Sequence, residues 1–431
     1  MKYQILLIVT ILFIGCSPLK VNRIDIGTGW SRNSVNTVIF RQNALTTYGN
    51  NQVTAYYDSD SNLILARRKL GSRNWTVYKT GYKGDTSDAH RDISIAVDGE
   101  GYLHVSWDHH NSHLRYAKSK APLQLELGPE LLMTGKLEEK VTYPEFYNLP
   151  DGNLLFCYRS GQSGKGSMVM NFYDHETKEW SQLHSNLLDG EEERSAYWQG
   201  TVDENGAVHL SWTWRESWDV ATNHDICYAV SYDNGKTWEK STGEKYQLPI
   251  TEKTAEYAWR VPQHSNLINQ TSMTTNNEGL PFIATYWEED GSTQYQVIYR
   301  HNDKWKHINT GFRKTNFDLG GGGTKSIPIS RPEILVNGKG KLEKILLLFR
   351  DEERGNKISL ASKILNSNKS WEITDISMEE VGQWEPNYDR LLWKEKEKLN
   401  VFMQKVRQVD AEGLAKLPAT PVSILELKNI P

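Results

Sequence analysis

Cysteine is scarce in this chain, with three in 431 residues. Cys16 closes an apolar N-terminal run, which leaves Cys157 and Cys227 and excludes a disulfide framework. Cys157 alternates inside an apolar segment and reads as a buried thiol. An excess of charge of one sign is missing too: 50 Lys and Arg face 54 Asp and Glu, a net −4. That balance offers no basic stripe and excludes nucleic acid as the partner. No hydrophobic run after residue 16 is long enough for a transmembrane span. The glycine-rich stretches Gly161–Gly166 and Gly320–Gly323 open no helical pattern, which excludes a phosphate loop. They read instead as places where backbone must approach closely.

Aromatic residues are plentiful, with 15 Trp and 21 Tyr. Strands favour both, and both can stack on sugars. At the N-terminus Lys2 precedes an apolar core from Ile5 to Ile14, too short to span a bilayer, as in an export signal. Phe13-Ile14-Gly15-Cys16-Ser17 resembles a bacterial lipobox. The expectation is a signal peptide over 1–15, lipidation at Cys16, and a tether over 16–22, giving a membrane-anchored lipoprotein of the cell envelope.

A unit recurs after that: strand, tight turn, aromatic-rich strand. Its turns fall at Gly49-Asn50-Asn51, Asp98 to Gly101, Pro150 to Asn153, Asp203 to Gly206, Asn276 to Gly279, Asn337 to Gly340 and, least clearly, Lys394 to Lys398. His104-Val-Ser-Trp107 and His209-Leu-Ser-Trp212 repeat literally. Copies at this spacing match four-stranded propeller blades, each needing its neighbours to complete a core. Ser231-Tyr-Asp-Asn-Gly-Lys-Thr-Trp238 is a full Asp-box, the hairpin turn of sialidase-like propellers. The fold class expected is all-β, one seven-bladed β-propeller over 23–431, acting as a monomer.

Chemistry gathers at the strand ends opposite these turns. In an antiparallel hairpin the residues before the first strand and after the second share an end. His90 therefore approaches His109 and His110, and Tyr143 approaches Arg159. Strand parity leaves open which of His109 and His110 faces inward. Equivalent ends of later units carry Tyr197, Arg215 and Arg331, expected with His109 to bind substrate. Two imidazoles, a phenol and guanidiniums suit proton abstraction beside a carboxylate. Separately, His209, His224, Cys227 and His264 are of zinc-ligand type, a candidate structural zinc site, although their spacing matches no tight motif. No cofactor is required for the chemistry.

Several of these segments resemble the ulvan lyases of polysaccharide lyase families 24 and 25. The matching motifs are Asp88-Ala-His90, Trp107-Asp-His-His110, Leu114-Arg-Tyr116, Thr142-Tyr-Pro144, Tyr158-Arg159 with its following Gly-rich loop, and Tyr197-Trp-Gln-Gly200. The resemblance implies that His90 and Tyr143 transfer protons, that Arg159 with His110 neutralises a uronate carboxylate, and that Tyr197 supports binding. It implies an anionic, uronate-containing polysaccharide or oligosaccharide as substrate. The reaction would be β-elimination to a 4,5-unsaturated uronate. The group leaving C4 is either a sugar, as in a chain-cleaving lyase, or water from a terminal uronate, as in a dehydratase. A hydrolase of the same propeller clan and a non-catalytic carbohydrate-binding propeller are the alternatives. Glu216, Glu288, Asp351 and Glu385 keep hydrolysis open, because glycosidases use two flanking carboxylates.

Overall fold

Seven small antiparallel sheets make up the computed structural model, which describes residues 18–338 and 340–430. They form a seven-bladed propeller, numbered here from the N-terminal side. The innermost strands are Leu45–Tyr48 in blade 1, Ile93–Val97 in blade 2, Val141–Asn148 in blade 3, Ser195–Val202 in blade 4, Ser272–Thr275 in blade 5 and Glu333–Asn337 in blade 6. Each pairs with the next strand in sequence through one of the expected turns. Blade 7 departs from the pattern. A short helix, Arg390–Lys396, stands where the Lys394 turn was expected, and its inner edge is reduced to one bridge, Tyr388 to Val401. Asp389 caps that helix by accepting the Leu392 N–H.

The ring is closed by its two ends. Strand Lys20–Gly29 pairs along Thr420–Lys428, which in turn pairs with Asn400–Gln404. The propeller thus begins at Lys20, inside the stretch expected to be tether. Cys16 lies outside the described residues.

Cores form between blades, because alternation gives every strand two apolar faces. Between blades 3 and 4, Leu155, Cys157 and Met170 pack against Trp198, Trp212 and Trp214. Burying one such indole contributes roughly 4–6 kcal/mol as an upper bound. The Asp-box closes on itself: Asp233 accepts from Ser231 Oγ at 2.9 Å and Thr237 Oγ1 at 2.7 Å, while Trp238 Nε1 donates to Gly235 O. Gly235 has φ +84°, a conformation that glycine adopts without penalty.

Candidate active site

The strand ends of blades 2 to 6 open into a cavity of about 350 Å³. Its walls include His90, His110, Tyr143, Arg159, Tyr197, Arg215 and Arg331. Phe40, on the short 3-10 turn Ile39–Arg41, forms its floor with Val38, Ala89 and the Tyr143 and Tyr197 rings. Among the described residues, no carboxylate lines it.

The two histidines share one counter-ion. Asp88 Oδ1 faces His90 Nδ1 at 3.0 Å, and Oδ2 faces His110 Nδ1 at 2.5 Å. The rings stack with centroids 4.2 Å apart, and His90 also stacks on Phe40. His110 reaches the site because the chain leaves blade 2 after Trp107 and adds a short strand, His110–Ser112, to the edge of blade 3. Burial disfavours a charged His90 ring, but the Tyr143 oxygen, Asp88 and Glu412 outweigh it and hold its pKa well above the ordinary value. Burial likewise opposes the Asp88 charge, and hydrogen bonds from His110 and His90 reverse the balance, holding the carboxyl far below its usual range. These neighbours favour the protonated His90 ring, and with Nδ1 engaged only Nε2 is left for a substrate.

Tyr143 is aimed by a backbone irregularity. The register between Val141–Asn148 and Leu154–Ser160 slips between Thr142 and Glu145, and Tyr143 takes φ +57°. Bulges re-aim side chains at the rims of sheets, and a left-handed tyrosine costs on the order of 1–3 kcal/mol that its surroundings must supply. Phe40 packs edge-on against its ring at 5.1 Å, and the Arg159 guanidinium lies 5.0 Å from the ring centre. Its hydroxyl has no hydrogen-bond partner among the described residues.

Arg159 and Arg215 meet at the Tyr197 hydroxyl, which accepts from their Nη1 atoms at 3.3 and 3.1 Å and contacts Ser163 Oγ at 2.8 Å. Burial raises the Tyr197 pKa, but Arg215, Arg159 and Ser163 overcome it and bring it down to about 8. Among the described residues neither guanidinium pairs with a carboxylate. Gly166 explains part of the preceding loop's glycine content. A Cβ there would stand 2.5 Å from Arg159 Cγ, so only glycine lets the arginine stem lie flat. A Cβ on Gly322 would similarly stand 3.0 Å from the ring of Trp218, which is 64% exposed at the mouth.

Other expected residues lie differently. His109 is fully buried away from the cavity, its Nε2 accepting the Arg115 N–H at 2.7 Å. Burial, Arg115 and Arg91 lower its pKa to about 3, so it is neutral. Parity failed there because Asp108, at φ +69°, breaks the strand between Trp107 and the histidines. Arg331 lines the cavity, but both oxygens of Glu385 hold its Nη1. The structure does not bring His209, His224, Cys227 and His264 together. His209 bonds the Tyr228 hydroxyl on the blade face toward blade 5, whereas Cys227 packs on the opposite face toward blade 3. His224 sits between Glu216 and Asp225. Among the described residues, the group close enough for a metal is Asp88, His90 and His110, with ligand atoms within 4.8 Å. Their stacked rings address separate oxygens of one carboxylate, which is hydrogen-bond geometry rather than convergence on a cation. The carboxylates that kept hydrolysis open are engaged elsewhere: Glu216 with Arg194, Glu288 with Asn316, Asp351 with Arg313 and Glu385 with Arg331.

Four contributors escaped the sequence reading: Phe40, Ser163, Thr324 and Glu412. Glu412 Oε1 stands 3.1 Å from His90 Nδ1 and accepts the Thr324 N–H. All four sit in turns or loops, where no periodicity marks them.

Known proteins resemble the chain at both levels. Its sequence is 24% identical over 331 residues to a long-isoform ulvan lyase of Alteromonas sp. (strain LOR), covering 61% of this chain and 33% of that protein. A second ulvan lyase of the same strain is 21% identical, covering 67% of the chain and 66% of that protein. The chain thus spans about a third of the length of the first relative. A family-25 ulvan lyase solved with -[GlcA(1-4)Rha3S]- superposes at a TM-score of 0.68, with 14% identity, over 90% of this chain and 97% of that one. The polysaccharide lyase Uly1 superposes at 0.63, with 15% identity, over 90% of each chain. Those likenesses carry the propeller. The repeats within it match a sequence family over residues 51–313, and by that match the chain belongs to the BNR repeat-containing family.

Proposed function

We propose that this protein is a carbon–oxygen lyase that breaks uronate-containing saccharides of the ulvan type by β-elimination. The observation that carries the reading is a cavity with cations and proton carriers on its walls and no carboxylate among its described lining. Glycoside hydrolysis ordinarily needs two carboxyl groups flanking the bond. Elimination needs a neutraliser, a base and an acid, and the relatives named as ulvan lyases support that choice.

The C5 proton of a uronate resists removal because the adjacent carboxylate is already negative. Arg159, unpaired and buried, takes that carboxylate through its planar fork and offsets the charge building up as the C5 electrons move inward. Tyr143, flanked by the Arg159 guanidinium and the His90 ring, accepts the proton. The C4–O bond breaks, C4 and C5 become doubly bonded, and His90 gives its Nε2 proton to the departing oxygen. His110 and Tyr197 hold the arrangement, and Arg215 takes a further anionic group of the substrate.

The same steps expel a sugar from the middle of a chain or water from a terminal uronate. The loops around Thr324 and Glu412 join across one side of the cavity, which favours a saccharide end over a through-running chain. Incubation with ulvan and with uronate-terminated oligosaccharides tests the reading. Ultraviolet absorbance of a conjugated double bond is expected, and new reducing ends without absorbance would overturn it. Product mass then tells loss of one water from chain cleavage. We also propose lipidation at Cys16, placing the enzyme on a membrane of the cell envelope.

A further inference from the structure

Glu412 lies far from the other site residues in sequence, on a loop of blade 7 whose base is pinned by a bridge between Gln408 and Leu414. It reaches His90 beside Thr324 without lining the cavity itself. Its Oε1 faces His90 Nδ1 at 3.1 Å and accepts the Thr324 N–H at 2.9 Å. Its Oε2 is buried without a partner. Beside it Asp410 holds Lys325 Nζ at 2.7 Å and the Ser326 N–H at 3.2 Å. Contact between the two loops is close: a Cβ on Gly323 would stand 3.1 Å from Ala411 Cα and 3.2 Å from Glu412 Oε1.

A buried carboxylate oxygen left unsatisfied costs about 1–3 kcal/mol or more. A loop that merely needed closing would do better with the exposed Lys325–Asp410 pair alone. Glu412 is placed where its charge acts on one neighbour, the His90 ring. We propose that Glu412 is a positioning residue: with Asp88 it fixes the proton of His90 on Nδ1 and turns Nε2 to the substrate, and through Thr324 it ties that setting to the joined loops that wall the cavity.

The charged and titratable groups facing His90 are Asp88 and Asp92 from its own segment, His110 and Tyr143 from the blade 3 side, and Glu412 from blade 7. Asp92 holds its proton up to about pH 8, raised by burial, and contributes little charge below that. The Tyr143 oxygen, Asp88 and Glu412 are therefore the groups that favour the ring's charge, and removing the Glu412 charge must lower its affinity for the proton.

The kinetic part of this proposal rests on the elimination reading, but its structural part does not. The test is a nitrogen NMR titration of the His90 ring in the full chain, wild type against Glu412→Gln, alongside the pH profile of kcat. Glutamine keeps the size and the Thr324 contact and removes the charge. The His90 titration and the alkaline limb of kcat should both move down by on the order of one pH unit. KM should stay near wild type, and Glu412→Asp should restore part of the shift. Asp410→Asn, which removes a neighbouring carboxylate that does not face His90 and leaves Glu412 on Thr324, should leave the titration in place. An unmoved His90 titration in Glu412→Gln, with the fold intact by circular dichroism, overturns the proposal. A moved titration in a chain that eliminates nothing from any uronate supports the positioning role and sinks the elimination reading alone.

Discussion

Arg215→Gln should abolish the unusual acidity of Tyr197. In the wild type two guanidinium nitrogens stand 3.1 and 3.3 Å from one phenol oxygen. At an effective dielectric constant near 20, each such contact favours the phenolate by about 5 kcal/mol. The net effect is smaller, because burial opposes it. A fall from 10 to about 8 corresponds to about 3 kcal/mol. Losing one contact worth about 5 kcal/mol exceeds that net gain, so in Arg215→Gln the phenol should not ionise below about pH 10. Tyrosinate difference absorbance, followed from about pH 6 to 10, reads this directly. One tyrosine should titrate near 8 in the wild type, none there in Tyr197→Phe, and none there in Arg215→Gln. A wild type without that step, or an Arg215→Gln variant that keeps it, refutes the reasoning. There is a functional corollary. Above pH 8 the Tyr197 anion competes with the substrate carboxylate for Arg159 and Arg215, so KM for an anionic saccharide should rise there.

Other outcomes are expected on the same footing. Arg159→Lys should lose roughly 100-fold or more in kcat/KM, in the range of removing one preorganised donor, because a point charge does not reproduce the fork; near-wild-type turnover would show that the carboxylate binds elsewhere. Glu145, buried with a pKa raised by burial to about 8, stays protonated in the fold across a range where the unfolded chain has released its proton. Wild-type stability should accordingly fall by a few kcal/mol as pH rises from about 4.5 to 8, and denaturant melts of Glu145→Gln should show a flatter profile. Cys16→Ser should release the protein from membranes into the soluble fraction, and persistence with the membrane would remove the anchor proposal.

Much of the architecture was legible because the hairpin turns announce themselves. Asp98 to Gly101 and Asp203 to Gly206 use the same device, an Asp Oδ1 accepting from the residues two and four ahead, with a left-handed Gly between. Blade 7 was the faintest copy because a helix stands in place of its turn. Within the site, antiparallel pairing correctly joined Tyr143 to Arg159, whose neighbour Thr142 is the register partner. It could not choose between His109 and His110, since the strand breaks at Asp108 before either. Glu412 and Thr324 come from loops far from His90 in sequence, and local pattern holds no information about which loops meet across a ring.

The closing strand has a consequence for the order of folding. Lys20 pairs with Lys428, so two strands some 400 residues apart must meet. Bringing two ends together across some 400 residues costs about 5 kcal/mol of chain entropy if done in the open chain, and far less once intervening blades have stacked and curved the ends toward each other. Closure is therefore favoured as the final event. Until it happens, the inner edges of blades 1 and 6 flank a gap, and the cavity lacks the loop that carries Glu412. The unclosed protein would then hold its arginines and histidines assembled but lack its blade 7 carboxylate, so that closure of the ring and completion of the site coincide.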